Sequence, residues 1–312
     1  MPKVSVIVPV YGVEKYIERC ARSLFEQTLD DIEYLFIDDC TPDHSIEMLL
    51  KILEEYPQRK PQVIIHRMEM NSGQAKVREW GIKNATGEYV IHCDSDDSVD
   101  KILYERMYIE ARNNNVDLVI CDCNRTDGIT EEIMGVGTER KMCVLINQML
   151  HGKVWWSLCN KLFKRTLYDG TLFPAGAMGE DMCICLQLIT RCDSVSYVHS
   201  RYNYHLNPNS IIQNNSKENI LYKFNEICRN VEIVQNYFES QGLAKQYCKG
   251  LKYLEYNAKQ SLLAGLSDDF IFKLWHSTYP GCFLSVVIDG DAPFKERVRC
   301  LLSLLRIYPI RK

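Results

Sequence analysis

Three carboxylates stand within four residues at Asp94-Ser95-Asp96-Asp97, directly after the apolar run Glu88-Tyr-Val-Ile-His-Cys93. The run reads as a strand and a helical pattern follows, so the acids crowd the carboxyl end of a buried strand. Like charges this close repel, and each loses hydration if it is partly buried. A hard divalent cation such as Mn²⁺ or Mg²⁺ relieves that cost, and it keeps positions open for substrate phosphates. An Asp-rich turn capping the next helix explains the same four residues without chemistry. Other polar residues of the same kind recur along the chain. Asp38-Asp39 follows a second apolar run, Arg78 lies in a helical pattern, and Glu180-Asp181 opens the pattern Met182, Ile184, Leu186, Leu188, Ile189. An acidic pair at a helix start complements the helix dipole even without catalysis, and Asp38 or Asp39 can cap the helix that follows.

The elements that must position these residues alternate over the first 125 residues. Strands are expected at Val4–Val10, Tyr34–Ile37, Val63–Ile65, Tyr89–Cys93 and Leu118–Cys121. Helices fall between them, where Val13, Ile17, Cys20 and Leu24 recur, then at Ile46–Leu53, Gln74–Asn84 and Leu103–Ala111. Strand–helix alternation with continuous apolar strands predicts a mostly parallel α/β sheet covered on both faces. Ligands bind such sheets at the carboxyl ends of the strands, which gathers Pro9 to Tyr11, Asp38-Asp39, His66-Arg67 and Asp94 to Asp97 on one edge. Residues 126–150 lose the alternation. From about 216 the spacing of Ile220, Phe224, Ile227, Val231, Val234 and Phe238 is that of an amphipathic helix. A boundary is therefore placed near Asn215, with a helical region over 216–312.

The whole chain sets limits. At 312 residues, 46% hydrophobic and 25% charged, it has the composition of a globular protein of one or two domains. A net charge of −4 gives no general reason to bind nucleic acid. The first residues read as a strand rather than a leader, and no apolar run is long enough for a membrane span, so a cytoplasmic protein is expected. Fourteen cysteines without zinc-site spacing are expected to be thiols.

In order along the chain, Val4-Ser-Val-Ile-Val-Pro-Val-Tyr11, Tyr16-Ile-Glu-Arg-Cys-Ala-Arg-Ser-Leu24, Asp38-Asp-Cys-Thr-Pro-Asp43, Asn71-Ser-Gly-Gln-Ala-Lys-Val-Arg78 and Gly87 through Asp97 together resemble glycosyltransferase family 2. The resemblance continues more loosely through Asn160 to Arg165, Gly179 to Met182 and Tyr202 to Ser210. It implies the GT-A (Rossmann-like) fold, with residues 1–215 as the catalytic domain: nucleotide-sugar binding in about 1–125 and the acceptor side in about 126–215. Cys40, Thr41 and Pro42 depart from the family's usual Asp-Asp-Gly-Ser-Thr-Asp.

The resemblance also implies roles. Pro9 and Tyr11 would stack on the donor's base, and Asp39 would accept hydrogen bonds from it. Asp94, Ser95, Asp96 and Arg78 would lie along the sugar nucleotide, with Asp96 on a Mn²⁺ or Mg²⁺ ion. Asp181 would be the general base for an inverting transfer. Glu180, Trp155 and Trp156 would stand on the acceptor side, although both tryptophans suit a core equally well. His205 would approach the diphosphate, but a lone histidine is more often structural. The donor would be a nucleotide diphosphate sugar, a UDP-sugar by preference. The acceptor would be a glycan or lipid-linked hydroxyl in bacterial surface polysaccharide or lipopolysaccharide assembly. Two rival readings are a sugar-nucleotide nucleotidyltransferase and a catalytically inactive glycan-binding or scaffold protein. The first should carry a Gly-rich triphosphate loop where Tyr11-Gly-Val-Glu14 stands, and the second should have lost its acids.

The segment 294–312 combines a Leu-rich face with Lys295, Arg297, Arg299, Arg306, Arg311 and Lys312. A basic amphipathic helix of this kind predicts peripheral contact with an anionic membrane, at the inner face of the cell membrane. A helix packed on the protein, or a pairing of two chains through the apolar C-terminal helices, is the alternative.

Overall fold

The computed structural model describes residues 1–134, 138–176, 178–207, 216–305 and 307. Ser210, Arg306, Arg311 and Lys312 of the readings above lie outside the described residues.

The β-branched run at the start forms β1 (Val4–Val10), a strand buried along almost its whole length. α1 (Ile17–Phe25) turns Ile17, Cys20, Ala21, Leu24 and Phe25 inward, the three- and four-residue spacing that puts side chains on one helical face. The chain continues through β2 (Ile32–Asp38), α2 (Ser45–Glu54), β3 (Val63–Arg67), α3 (Gln74–Asn84), β4 (Tyr89–His92), the short β5 (Ser98–Val99) and α4 (Leu103–Asn114). β3, β2, β1 and β4 lie side by side, all parallel. Their carboxyl ends therefore open on one edge, where Asp38-Asp39 and Asp94 to Asp97 emerge.

Beyond β4 the sheet changes character. β6 (Leu118–Thr126), β7 (Glu131–Met134), β8 (Lys161–Lys164) and β9 (Val195–His205) complete a single nine-stranded sheet of order β3-β2-β1-β4-β8-β6-β9-β5, with β7 on β6. β8 runs antiparallel to both β4 and β6, whereas β6 and β9 are parallel and slip register between Cys121 and Asp122. The parallel sheet of the first half thus continues into a mixed one. The polar, aromatic β9 pairs with β5 antiparallel, which brings Tyr202 and His205 under the Asp94 loop.

Two helices pack near the site: α5 (Met142–Leu150) and α6 (Glu180–Ile189). α6 is buried on every side except at Asp181, because α7 (Lys217–Ser240) and α5 pack against it, and α8 (Cys248–Ala258) packs in turn on α5 and α7. Val231, Val234, Tyr237, Phe238, Leu251 and Leu254 belong to one hydrophobic cluster with α5, α6 and the sheet face that carries Ile7, Leu35 and Val90. α9 (Asp269–Ser277), α10 (Gly281–Ile288) and α11 (Phe294–Leu304) form a separate cluster around Trp275 and Phe283. Lys259 is buried there, 3.6 Å over the Phe283 ring. His151, in turn, joins the two parts through a 2.8 Å contact with buried Asp289. All fourteen cysteines are free thiols.

Candidate functional site

Two acidic sites sit at the carboxyl ends of β2 and β4, on either side of β1, and are satisfied differently. At the end of β2, Asp38 is buried, receives the Thr41 N–H at 2.7 Å, and pairs with Arg67 at 3.1 Å. Asp39 accepts the backbone N–H groups of Ser72 and Gly73 at 2.7 and 2.9 Å. It thereby ties the loop before α3 to the sheet. The next acid, Asp43, gathers the turn after β1: it accepts from Glu14 N, Ser45 N and the Thr41 hydroxyl. Burial pushes the Asp43 carboxyl up, but the hydrogen bonds from Ser45 and Thr41 prevail and hold it below its ordinary range. Above this platform Tyr11 is half exposed and Pro9 half buried. Cys40 takes a left-handed φ of 56°, and its thiol donates to Met68 O at 3.0 Å. A glycine reaches that backbone region without a Cβ clash, which accounts for the usual residue at this position of the motif.

At the end of β4 the acids meet one another. Arg78 on α3 is 1% exposed and reaches two carboxylates at once, Asp94 at 2.9 Å and Asp181 at 3.1 Å. These are 103 residues apart for Arg78 and Asp181, and the fold brings them to one guanidinium. Burial works against the Arg78 charge, but Asp181 and Asp94 more than offset it and raise its pKa. Its Nε is buried without a partner among the described residues. Asp94 also accepts from Gln74 at 3.0 Å, and its N–H donates to the Tyr202 hydroxyl. Asp181 accepts the Leu158 N–H at 3.3 Å. Burial raises the Asp181 carboxyl, Arg78 opposes that, and Asp94 adds to it. With 27% of its side chain still open, solvent tempers the shift. Glu180 beside it is pushed up to about 8 by burial and then by Asp181, which favours its protonated form.

Asp97 is wholly buried and committed to the scaffold. It accepts the Tyr202 hydroxyl at 2.6 Å and the His205 N–H at 2.8 Å. Burial, Asp94 and Asp96 hold it well above the carboxylate range. Asp96 is raised by burial and by Asp94, while Asn207 donates to its carboxylate at 3.1 Å. A cavity of about 100 Å³ opens beside it, lined by Tyr16, Arg19, His205 and Asn207 among others. The Arg19 guanidinium donates to the Asp96 carbonyl. His205 is turned to the Ser98 hydroxyl at 2.9 Å, and burial and then Arg19 lower it to about 4. Ser95 is buried between the two acids.

The remaining acceptor-side residues divide. Trp156 points inward and donates its ring N–H to Met149 O at 2.7 Å. Trp155 is half buried, edge-on to Tyr204. Lys161, fully buried, ties the segment between them and β8 by donating to Trp155 O, Ser157 O and Asn160. That segment presents the Leu158 N–H to Asp181. Tyr202, Gln74 and Asn207 carry no role in the motif reading, yet they fix the Asp94 loop. Tyr202 is brought there by strand register, Gln74 by the start of α3 and Asn207 by the chain just after β9, none of which local spacing carries.

The donor chemistry of this edge suits a divalent cation completed by phosphate. Asp96 lines the cavity with Asp94 two residues before it, and burial and then Asp94 make Asp96 hold its proton more tightly. Among the described residues no cluster of three or more His, Cys, Asp or Glu side chains could hold an ion alone. Oxygens of a bound diphosphate would have to complete the coordination.

Residues 5–178 match the family described as Glycosyl transferase family 2. The uncharacterized glycosyltransferase EpsJ of Bacillus subtilis (strain 168) is 32% identical over 225 residues, 68% of this chain and 64% of its own length. The putative glycosyltransferase EpsH of the same organism is 30% identical over 230 residues, again with 64% of its length spanned. The chain therefore spans about 64% of the length of these curated relatives. The poly(ribitol-phosphate) beta-glucosyltransferase of Bacillus spizizenii is 29% identical over 211 residues, 65% of this chain and 32% of its own. Among solved structures, S. aureus TarS 1-349 in complex with UDP-GlcNAc superimposes with a TM-score of 0.59 at 17% identity, covering 98% of this chain and 91% of that one. Mannosyltransferase PcManGT from Pyrobaculum calidifontis, in complex with GDP-Man and Mn²⁺, gives 0.55 at 14% identity, covering 99% and 81%. At these identities the likeness is one of fold: the GT-A arrangement of a helix-flanked α/β sheet with a helical C-terminal region.

Proposed function

The chain belongs to glycosyl transferase family 2, and on that premise we propose that it moves one sugar, with inversion, from a UDP-sugar to a hydroxyl of a glycan or lipid-linked acceptor. The observation that carries this reading is the Arg78 bridge, with Asp94 at 2.9 Å on one arm and Asp181 at 3.1 Å on the other. One buried guanidinium holds a donor-side carboxylate and an acceptor-side carboxylate in fixed relation, which is what an in-line displacement between two substrates requires. Pro9, Tyr11 and the Asp39-braced loop receive the nucleobase and ribose. Asp94, Ser95 and Asp96 face the sugar diphosphate. A bound Mn²⁺ or Mg²⁺ held through Asp96 would supply charge for the diphosphate. Asp181 takes the proton of the acceptor hydroxyl as its oxygen bonds to the anomeric carbon. The bond from that carbon to the diphosphate oxygen breaks, and its electron pair leaves with the nucleoside diphosphate. A carboxylate raised by burial is a better base than an ordinary one. Glu180, whose protonated form burial favours, would then offer a hydroxyl hydrogen rather than a second negative charge. Trp155, half buried, is the tryptophan placed to form an acceptor wall.

Names among the relatives support a setting in surface glycan assembly, the poly(ribitol-phosphate) enzyme being one. A nucleotidyltransferase is disfavoured because the turn after β1, pinned through Gly12 N to Thr41 and Glu14 N to Asp43, leaves no Gly-rich triphosphate cradle. Decay to a scaffold is disfavoured because Asp39, Asp94, Asp96 and Asp181 are all present and partnered.

Peripheral membrane contact through 294–312 belongs to the same reading. No helix among the described residues is long and apolar enough to cross a membrane. α11 buries Cys300 and Ser303 against the protein yet exposes Phe294, Val298, Leu301 and Leu304. Arg297 and Arg299 turn back to Val287 O and Glu296, so the exposed stripe is apolar, with Lys295 beside it. Such a stripe, with a basic tail following, suits an anionic bilayer. Co-sedimentation with phosphatidylglycerol vesicles should be lost when residues 294–312 are removed; unchanged binding, or none in the full chain, refutes it.

The enzymatic reading is tested by thermal shift with UDP-, GDP- and dTDP-sugars, each with Mn²⁺ or EDTA. Ligands that bind the folded state raise its apparent stability. Stabilisation by one UDP-sugar with Mn²⁺ is expected. No shift with any donor at saturation would move weight to a scaffold.

A further inference from the structure

The C-terminal helix α7 lies against the segment that leads into the Asp181 helix, and the two are fitted atom to atom. Asn230 is 2% exposed, and its side-chain N–H donates to Met178 O at 2.7 Å. Met178 immediately precedes Gly179, whose φ of 79° starts α6. A Cβ on Gly179 would lie 3.5 Å from both the Asn230 amide and Ile227. One turn earlier on α7, buried Glu226 fills the space a side chain at Gly176 would need: a Cβ there would fall 1.1 Å from the carboxylate oxygen. α6 begins without a side-chain cap of its own. Within this segment, then, the described polar tie to α7 comes from Asn230.

We propose that Asn230, with Glu226 seated over Gly176, is the positioning device for Asp181, so that α7 works as part of the catalytic site. This rests on the reading of Asp181 as the base. Asp181 stands in the first turn of α6, two residues past Gly179, and its carboxylate must satisfy Arg78 and Leu158 N together. A helix start displaced by about 1 Å can cost roughly 10²-fold in rate through misplacement alone. Asn230 touches neither donor nor acceptor-side acids in this arrangement. Its effect runs through the Met178 carbonyl.

Three substitutions, alone and combined, and three readouts separate this from general damage. Asn230→Asp keeps the size but removes the N–H donor. Gly176→Ala crowds the loop, and Glu226→Ala makes room beside it. Turnover of the UDP-sugar selected by the thermal-shift panel should fall about 10- to 100-fold in Asn230→Asp, with the Kd for UDP and Mn²⁺ within twofold of wild type. In the Asp181→Asn background the same change should have no further effect. Gly176→Ala should show the same loss, and Gly176→Ala/Glu226→Ala should recover most of it. Hydrogen exchange over residues 179–183 should speed up in Asn230→Asp, and this readout does not depend on what Asp181 does. Unchanged exchange and turnover in Asn230→Asp would overturn the proposal. So would a loss that falls equally on UDP binding, or one that multiplies with Asp181→Asn. If exchange speeds up while Asp181→Asn retains transfer, the positioning stands and the assignment of the base fails.

Discussion

The two acidic strand ends carry similar residues and do opposite things. At β2, Asp38 and Asp39 are each neutralised by backbone N–H groups, with Arg67 adding to Asp38. At β4, Asp94 and Asp96 face one another and Asp97, and burial with mutual repulsion raises Asp96 and Asp97. The first end spends its charge on shape: it fixes loops on which a flat base can rest. The second crowds its carboxylates beside the cavity at Asp96, and the Arg78 guanidinium meets only Asp94 among them. Satisfied acids build a pocket, whereas under-satisfied ones call for a cation and a reacting partner.

If this division is right, variants at the two ends fail in different ways. Asp96→Ala should have the largest effect, with turnover down on the order of 10³-fold and the Mn²⁺-dependent part of UDP stabilisation gone; calorimetry with and without EDTA reads both. Arg78→Lys comes next. A single ammonium cannot fork to Asp94 and Asp181, so turnover should drop about 10²-fold while the thermal midpoint moves less than in Arg78→Ala, which leaves the carboxylates with no cation. At the other end, Asp39→Ala should release the Ser72–Gly73 loop and raise the donor KM about tenfold with kcat near wild type. A large fall in kcat there would break the comparison.

The smallest effect is a pH trend in stability. Glu180, raised to about 8, binds its proton more tightly folded than unfolded. Its contribution is full below the ordinary carboxyl pKa and is lost as pH rises toward 8. Glu180→Gln should therefore melt like wild type in acid and a few degrees higher above pH 8. A gap that is constant with pH would remove the buried-carboxyl account.

Much of this was legible in the residues. Apolar runs and helical spacing placed β1 to β4 and α1 to α4 within a few residues, because each element is long and buried on a regular face. The motif order pointed to Asp39, Arg78, Asp94, Asp96 and Asp181, and the fold gathers the last four. What escaped was pairing across distance. Nothing local in Tyr202 announces that its hydroxyl serves both Asp94 and Asp97. Lys161 sits in the acceptor-side motif but is consumed in bracing backbone carbonyls. β8 is short and β9 polar, and their place follows from pairing with strands distant in sequence, β8 antiparallel to β4 and β6 and β9 parallel to β6, rather than from periodicity. Asn230 belongs to an amphipathic helix whose pattern looks like packing alone, and only the contact with Met178 sets it apart.

The most direct test of the central claim is Asp181→Asn, measured for UDP binding in the presence of Mn²⁺ and for transfer or hydrolysis of the selected UDP-sugar. The account predicts a Kd within about twofold of wild type and turnover lower by roughly 10²- to 10⁴-fold, the share a positioned general base contributes. Turnover close to wild type with binding intact would contradict it.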